Sequence, residues 1–210
     1  MNQFSAGPKT HPVQWSWQRI ARRIRVPLGF LTAAIYLVEA ARREPHFAAI
    51  ALSLALVVPG LALRAAAAGT VEKNRELTVT GPYAYSRNPL YLGSALITSG
   101  FALALFSWPM AVLLAVGFTV IYVPVIAAEE KFLRATFPEF DSYCRQTPRF
   151  FPRMTLARHH EEKGGAPRSG FSFGLYLKHR EYNALLGATL LYLSLLYLRP
   201  ALETIPHLPR

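Results

Sequence analysis

Apolar residues in this chain are gathered into runs and are not spaced along it. Stretches 26–41, 46–63, 89–106, 109–127 and 184–198 are apolar almost throughout. Neither the alternation of a half-buried strand nor the one-sided stripe of an amphipathic helix fits such runs. They are the pattern of helices with apolar surroundings on every side. About five bilayer-crossing helices are predicted, with no strands. Several runs fall short of the roughly 20 residues that about 30 Å of hydrocarbon requires, so their ends must draw on flanking residues. The third and fourth runs are joined only through Ser107-Trp108-Pro109. They are therefore expected to form a tight antiparallel hairpin whose outer ends return to one face, bringing residues 81–88 beside Ala127-Ala128-Glu129-Glu130-Lys131.

Composition supports one polytopic all-α membrane domain over 1–210. Of 210 residues, 52% are hydrophobic and only 17% charged, where soluble domains carry about 25%. A formal charge of +11 would suit nucleic acid only if a soluble module offered a basic face, and the chain has no such module between its runs. Lys and Arg instead flank the runs. The cluster Arg19, Arg22, Arg23 and Arg25, then Arg64, Lys73, Arg75 and Arg87, then the basic segment 128–183 all read as cytoplasmic by the positive-inside rule. The expected location is a bacterial inner membrane, with the active site facing the cytoplasm and the C-terminus outside. Arg42 and Arg43 oppose this, but Glu39 lies at i+3 and i+4 spacing as a local partner.

The basic, Trp-containing stretch before the first run, with no small-residue cleavage site after it, predicts a retained anchor and not a cleaved signal. The single cysteine, Cys144, rules out an internal disulfide and cysteine-based zinc. The pair His159-His160 beside Glu161-Glu162 lacks the i, i+4 spacing of metal ligands on a helix, so no metal is expected. Pro59-Gly60 and Pro124 are expected to kink their helices. Residues 154–183 read as a cytoplasmic loop with an interfacial segment at 171–183, and 184–200 as an extra C-terminal helix. Gly187, Ala188 and Ser194 would let that helix pack closely; its role as wall, anchor or oligomer contact is open, as is the oligomeric state.

Three phrases carry the candidate chemistry. In GPYAYSRNPLYLG, Asn88 before Pro89 is a helix start, with Asn as cap and Pro at the first helical position. Amides at Leu90, Tyr91 and Leu92, the positive end of the helix dipole and the fork of Arg87 together suit a carboxylate or phosphate. Glu129 and Glu130, as helical neighbours, point about 100° apart, so one is expected to face a pocket and the other to pair elsewhere. In the third phrase, Pro148 and Pro152 bracket Arg149, making a stiff loop that can lay an arginine over a site.

In that order, GPYAYSRNPLYLG, EEKFLRATFPEFDSYC and TPRFFPR resemble the integral-membrane methyltransferases related to isoprenylcysteine carboxyl methyltransferase and to bacterial phospholipid N-methyltransferases. The resemblance covers residues 60–153 as a catalytic core. It implies S-adenosylmethionine at the cytoplasmic helix ends and a lipophilic lipid or prenylated acceptor arriving from the bilayer. Arg87, Pro89, Tyr91 and Gly93 match the family's Arg-His-Pro-x-Tyr-x-Gly phrase, Glu129 and Glu130 its paired glutamates, and Tyr143 and Arg149 the Tyr and Arg of its last loop. The cofactor-binding set so implied is Tyr83, Arg87, Asn88, Pro89, Leu90, Tyr91, Gly93, Glu129 and Glu130, and the catalytic set Arg149, Glu130 and Tyr143. Tyr83, Tyr85 or Tyr91 would face the sulfonium.

Asn88 departs from the family, standing where histidine is common, and it cannot serve as a general base. A carboxylate acceptor needs no base, so carboxyl methylation is the expected reaction. Phospholipid headgroup N-methylation, with a glutamate taking the proton, is the alternative. The chain has no Gly-rich strand-to-helix nucleotide loop, which argues against a soluble Rossmann methyltransferase. Two rival classes remain: an NADPH-dependent sterol-reductase-like enzyme, which would want more basic residues near 81–88 than Arg87, and a non-enzymatic scaffold, in which Arg87, Tyr91, Glu130 and Arg149 would be dispensable.

Overall fold

The computed structural model describes residues 15–44, 46–72, 76–153 and 170–204, with side chains from residue 27 onward. Helices α1 (Trp15–Arg42), α2 (Phe47–Thr70), α3 (Pro89–Ala104), α4 (Trp108–Thr136), α5 (Phe140–Gln146), α6 (Phe173–Lys178) and α7 (Tyr182–Glu203) account for most of them, and no strand occurs among the described residues. Each apolar run falls almost wholly within one helix. Helices α2, α4 and α7 are long and apolar enough to cross a membrane. The 16 residues of α3 rise only about 24 Å, so α3 is short of the full hydrocarbon thickness. Helix α4 continues past its apolar run to Thr136, which carries Glu129 and Glu130 beyond the apolar stretch on a rigid rod.

The central crossing is α2 against α3, and glycines set it. A Cβ on Gly60 would stand 2.8 Å from the Gly93 carbonyl oxygen, and one on Gly93 would stand 2.7 Å from the Gly60 oxygen. Backbone therefore meets backbone, the close approach that small residues allow between membrane helices. Helix α2 continues through Pro59, and Gly60 serves helix packing. Gly93, assigned to cofactor binding from the motif, faces α2.

Helix α7 is a full member of the bundle. It packs on α1, buries Ala188 and Leu195, and its Tyr192 hydroxyl shares a 2.7 Å hydrogen bond with Ser53 of α2. The core it joins includes Tyr36, Val57, Phe101 and Leu105. Between α5 and α7, the segment holding α6 is strapped to the end of α2. The Ser172 amide donates to the Gly69 carbonyl at 2.8 Å, and His179 Nδ1 lies 2.9 Å from the Ala68 carbonyl. The expected local partner of Glu39 is there too, with Arg43 Nε 2.6 Å from its carboxylate. The His159-His160 pair, Lys73, Arg75 and the side chains of Arg19 to Arg25 lie outside the described residues.

Candidate functional site

A cavity of about 460 Å³ lies where α2 ends and α3 begins. Its floor is the 3-10 turn Gly81–Ala84, which enters through Gly81 in the left-handed region at φ +58. Only glycine adopts that conformation freely, and the turn presents Tyr83 to the cavity. Of the residues singled out by sequence, Tyr83, Arg87, Asn88, Pro89, Leu90, Tyr91, Glu129 and Tyr143 line it. Gly93, Glu130 and Arg149 are not among the lining residues.

Glu130 sits instead in an ion cluster behind the wall. Its Oε1 receives Arg149 Nε at 3.1 Å, Asn88 Nδ2 at 3.4 Å and Arg87 Nη1 at 3.5 Å. The angular argument from the helix therefore holds: Glu129 faces the cavity and Glu130 turns to the arginines. The same cluster staples two loops. Arg87 donates its amide to the Pro148 carbonyl at 2.9 Å, Ser86 Oγ donates to the Phe150 carbonyl at 2.9 Å, and the Arg153 amide donates to the Tyr85 carbonyl at 3.1 Å.

The anion cradle expected at the start of α3 is corrected by these bonds. The amides of Tyr91 and Leu92 donate to the Asn88 carbonyl at 3.1 and 3.0 Å. Asn88 holds the N-cap position with no side-chain capping bond; its Nδ2 donates 2.9 Å to the Arg149 carbonyl. Loop attachment outcompetes capping because the buried amide finds both a carbonyl and a carboxylate across the cluster. Arg87 provides the free donor in this region. Its Nη1 meets Cys144 Sγ at 2.8 Å, while its Nε is buried without a partner, as is Thr78 Oγ1 on the same cavity. Buried donors are ordinarily satisfied, and both of these residues line the cavity.

Sequence reasoning missed Arg64, Thr78, Tyr122, His179 and Glu181. Arg64 was weighed only as a topology signal, yet it forms a double-pronged pair with Glu181, Nε to Oε2 at 3.0 Å and Nη2 to Oε1 at 2.9 Å. Its Nη1 bonds Ser94 Oγ and the Leu90 carbonyl, so every prong is occupied. Arg180 bends the chain between His179 and Glu181 through a left-handed conformation, φ 54. Such strain in a residue other than glycine costs on the order of 1 kcal/mol or more and tends to sit at functional sites. A second cavity of about 400 Å³, mostly apolar, lies between α1, α3, α4 and α7. Arg64 and Tyr122 line both cavities, so the two adjoin at that pair.

Four carboxylates, Glu72, Glu76, Glu129 and Glu181, line the first cavity against the guanidiniums of Arg64 and Arg87. Arg64 is paired with Glu181, which leaves Arg87 as the other guanidinium beside Glu76 and Glu129. Burial, and then the nearby Glu129 carboxylate, push the Tyr83 phenol well above its ordinary value; burial, opposed by Arg87, does the same for Tyr143. Both remain neutral hydroxyls with aromatic faces, and Tyr143 donates 2.7 Å to the Tyr83 carbonyl. The helical hairpin falls within a family match. Residues 48–139 match the phospholipid methyltransferase family. The matched segment takes in α2, α3 and α4 and so supplies most of the cavity wall.

Two curated relatives are similar over 86 residues: the nickel-cobalt-cadmium resistance protein NccN of Alcaligenes xylosoxydans xylosoxydans at 43% identity, and the cobalt-zinc-cadmium resistance protein CzcN of Cupriavidus metallidurans at 42%. Each match covers 41% of this chain and 40% of the relative. No solved structure is significantly similar. The strap residues His179 and Glu181 lie outside the matched segment.

Proposed function

We propose that the protein transfers a methyl group from S-adenosylmethionine to a lipophilic acceptor within a cell membrane, at a site facing the cytoplasm. The observation that carries this reading is the tyrosine-walled, acid-rich cavity on the family-matched hairpin, adjoining an apolar cavity at Arg64 and Tyr122. The residues fit the cofactor. Arg87 Nε is an unpartnered buried donor for a carboxylate, Glu129 can receive an amine, and Tyr83, Tyr91, Tyr122 and Tyr143 offer faces to a cationic sulfur. When bound, the cofactor supplies an electrophilic methyl group; the chain contributes the holding and the alignment, which is most of what an in-line displacement requires. The apolar cavity suits the acceptor's hydrocarbon body, with its reacting end toward Arg64.

The reductase reading is weaker on charge. Two phosphates would enter beside Glu72, Glu76 and Glu129, with one arginine already engaged by Glu181, and like charges so placed repel. The relatives' names concern metal resistance. Among the described residues no three His, Cys, Asp or Glu side chains gather as ligands.

Calorimetric titration of the detergent-purified protein with S-adenosylmethionine, S-adenosylhomocysteine and NADPH tests the reading. Micromolar binding of the first two and none of NADPH is expected. Binding of NADPH alone would move the protein to the reductase class, and binding of none would favour the scaffold. In the same titration Glu129→Gln is expected to weaken S-adenosylmethionine at least tenfold, about 1.4 kcal/mol, without moving the melting temperature. Glu130→Gln should leave affinity within threefold but cost roughly 1 kcal/mol of stability, since it loosens three charge-assisted bonds that are partly open to solvent. Equal affinity losses would mean that both carboxylates reach the ligand.

A further inference from the structure

Helices α2 and α7 are both long and apolar enough to cross a membrane, and residues 171–182 lie against the end of the first and lead into the start of the second. The Ser172 amide holds the Gly69 carbonyl at 2.8 Å, and the Phe171 ring fills the place that a Cβ on Gly69 would need. The strap therefore sits at the depth where two crossing helices leave the hydrocarbon. Its side chains suit that depth. The rings of Phe171 and Phe173 stand 6.4 and 5.8 Å from that of Tyr176, yet Phe173 is 63% exposed, and Phe171 and Leu177 are exposed with it. An open aromatic cluster of this kind is at home where hydrocarbon meets water.

Charge points the same way. Lys178 and Arg180 are exposed, and among the described residues neither forms an ion pair. Glu181, the acid next to Arg180, is committed to Arg64 at 2.8 Å, and Glu72 and Glu76 line the cavity. From Lys178 onward the chain alternates: Lys178, Arg180 and Tyr182 are exposed, while His179 and Glu181 line the cavity. One short segment thus carries a basic exposed face and a piece of the cavity wall.

Resting on the cytoplasmic orientation proposed above, we propose that the strap is a docking surface for anionic phospholipids of the cytoplasmic leaflet, and that docking fixes the part of the cavity wall made by His179 and Glu181. Phe171, Phe173 and Leu177 enter the boundary between headgroups and acyl chains, and Lys178 and Arg180 take the lipid phosphates. Each basic side chain near such a surface is worth about fivefold in association. The lipid acts by holding the strap and not as methyl acceptor. A strap ordered in advance spares an incoming ligand the entropy of ordering it, so affinity in the cavity rises. An acidic protein partner would use the two basic residues but leave the phenylalanines without hydrocarbon.

The test uses the full-length protein in nanodiscs of phosphatidylcholine alone or of phosphatidylcholine mixed with phosphatidylglycerol. Hydrogen exchange of the strap amides and calorimetric titration with S-adenosylhomocysteine are compared between the two. That ligand lacks the sulfonium, so the pull of an anionic surface on a cation cannot imitate the effect. With phosphatidylglycerol, the strap is expected to exchange more slowly and S-adenosylhomocysteine to bind more tightly, each by about threefold or more. Lys178→Gln with Arg180→Gln should remove both differences while leaving the melting temperature, and the affinity in phosphatidylcholine alone, unchanged. Phe173→Ser should speed strap exchange in both discs. Arg134→Gln, at an exposed cation paired with Asp141, should keep the full lipid effect.

Equal strap exchange in the two discs would leave this face to a protein partner or a second copy and would overturn the proposal. A lipid effect that survives in the double variant would do the same, because the charge would then act elsewhere. Slower exchange with no gain in affinity would overturn the coupling to the cavity. Failure of S-adenosylhomocysteine to bind in either disc is the separate result that would sink the methyltransferase reading, and the exchange comparison would still decide the docking.

Discussion

Arg87→Ala is expected to weaken S-adenosylmethionine at least a hundredfold, about 2.7 kcal/mol, in calorimetric titration. Arg87 lines the cavity with a mostly buried guanidinium, so a ligand carboxylate held there would gain a charge-assisted hydrogen bond with little competition from water. Removing the guanidinium takes that bond away and also leaves Glu130 with only Arg149 and Asn88 against its negative charge, raising the negative potential beside the ligand carboxylate. Lysine should restore less than a tenth of the lost affinity. A point charge on a flexible stem cannot reach Cys144, Glu130 and a ligand at once, as the planar fork can. Arg134→Ala is the control. That side chain is exposed, pairs with Asp141 and stands over Phe140, so its loss should change affinity by less than twofold. A loss under threefold in a folded Arg87→Ala protein would remove the cofactor assignment of this cavity and favour the scaffold.

What the sequence made legible follows from which interactions are local. Each apolar run announced a helix because a helix needs only its own residues and its surroundings, and Ser107-Trp108-Pro109 announced the hairpin because a short connector leaves one geometry. The divergence of Glu129 and Glu130 was likewise readable from helical pitch. What escaped depends on contacts between distant residues. Nothing near Asn88 indicates that its side chain will leave the cap for the Arg149 carbonyl. Gly93 reads as part of a binding phrase until α2 is seen against it. Arg64 and Glu181 are separated by 117 positions, and each alone looks like a charge at the end of an apolar run. His179 sits in an aromatic and basic stretch that fits a membrane interface equally well, and only the bond to Ala68 and the shared cavity distinguish it.

Gly93→Leu is expected to destabilise the protein by about 3–5 kcal/mol and to abolish cofactor binding with it. A Cβ at this position meets the Gly60 carbonyl oxygen and the Arg64 Cγ, both at 2.7 Å, so even the first atom of a side chain has no room. A leucine must drive α2 and α3 apart, and forcing bulk into a packed interface typically costs 1–3 kcal/mol. The displacement does not stop at the crossing. Arg64 is four residues, about one helical turn, from Gly60, and its guanidinium is fixed between Glu181, Ser94 and the Leu90 carbonyl. Separating α2 from α3 pulls it from Ser94 and Leu90 together and strains the pair with Glu181, and breaking a mostly buried ion pair adds a few kcal/mol more. The α6 strap hangs on the same end of α2 through Gly69 and Ala68, so His179 and the cavity wall move too. Gly117→Leu separates these effects from the substitution itself: a Cβ there meets nothing within 4 Å, and its melting temperature in detergent should stay within a few degrees of the parent. Equal melting temperatures for the two variants would show that the glycine crossing is not what sets the distance between α2 and α3, and the link from that crossing through Arg64 to the site would fail with it.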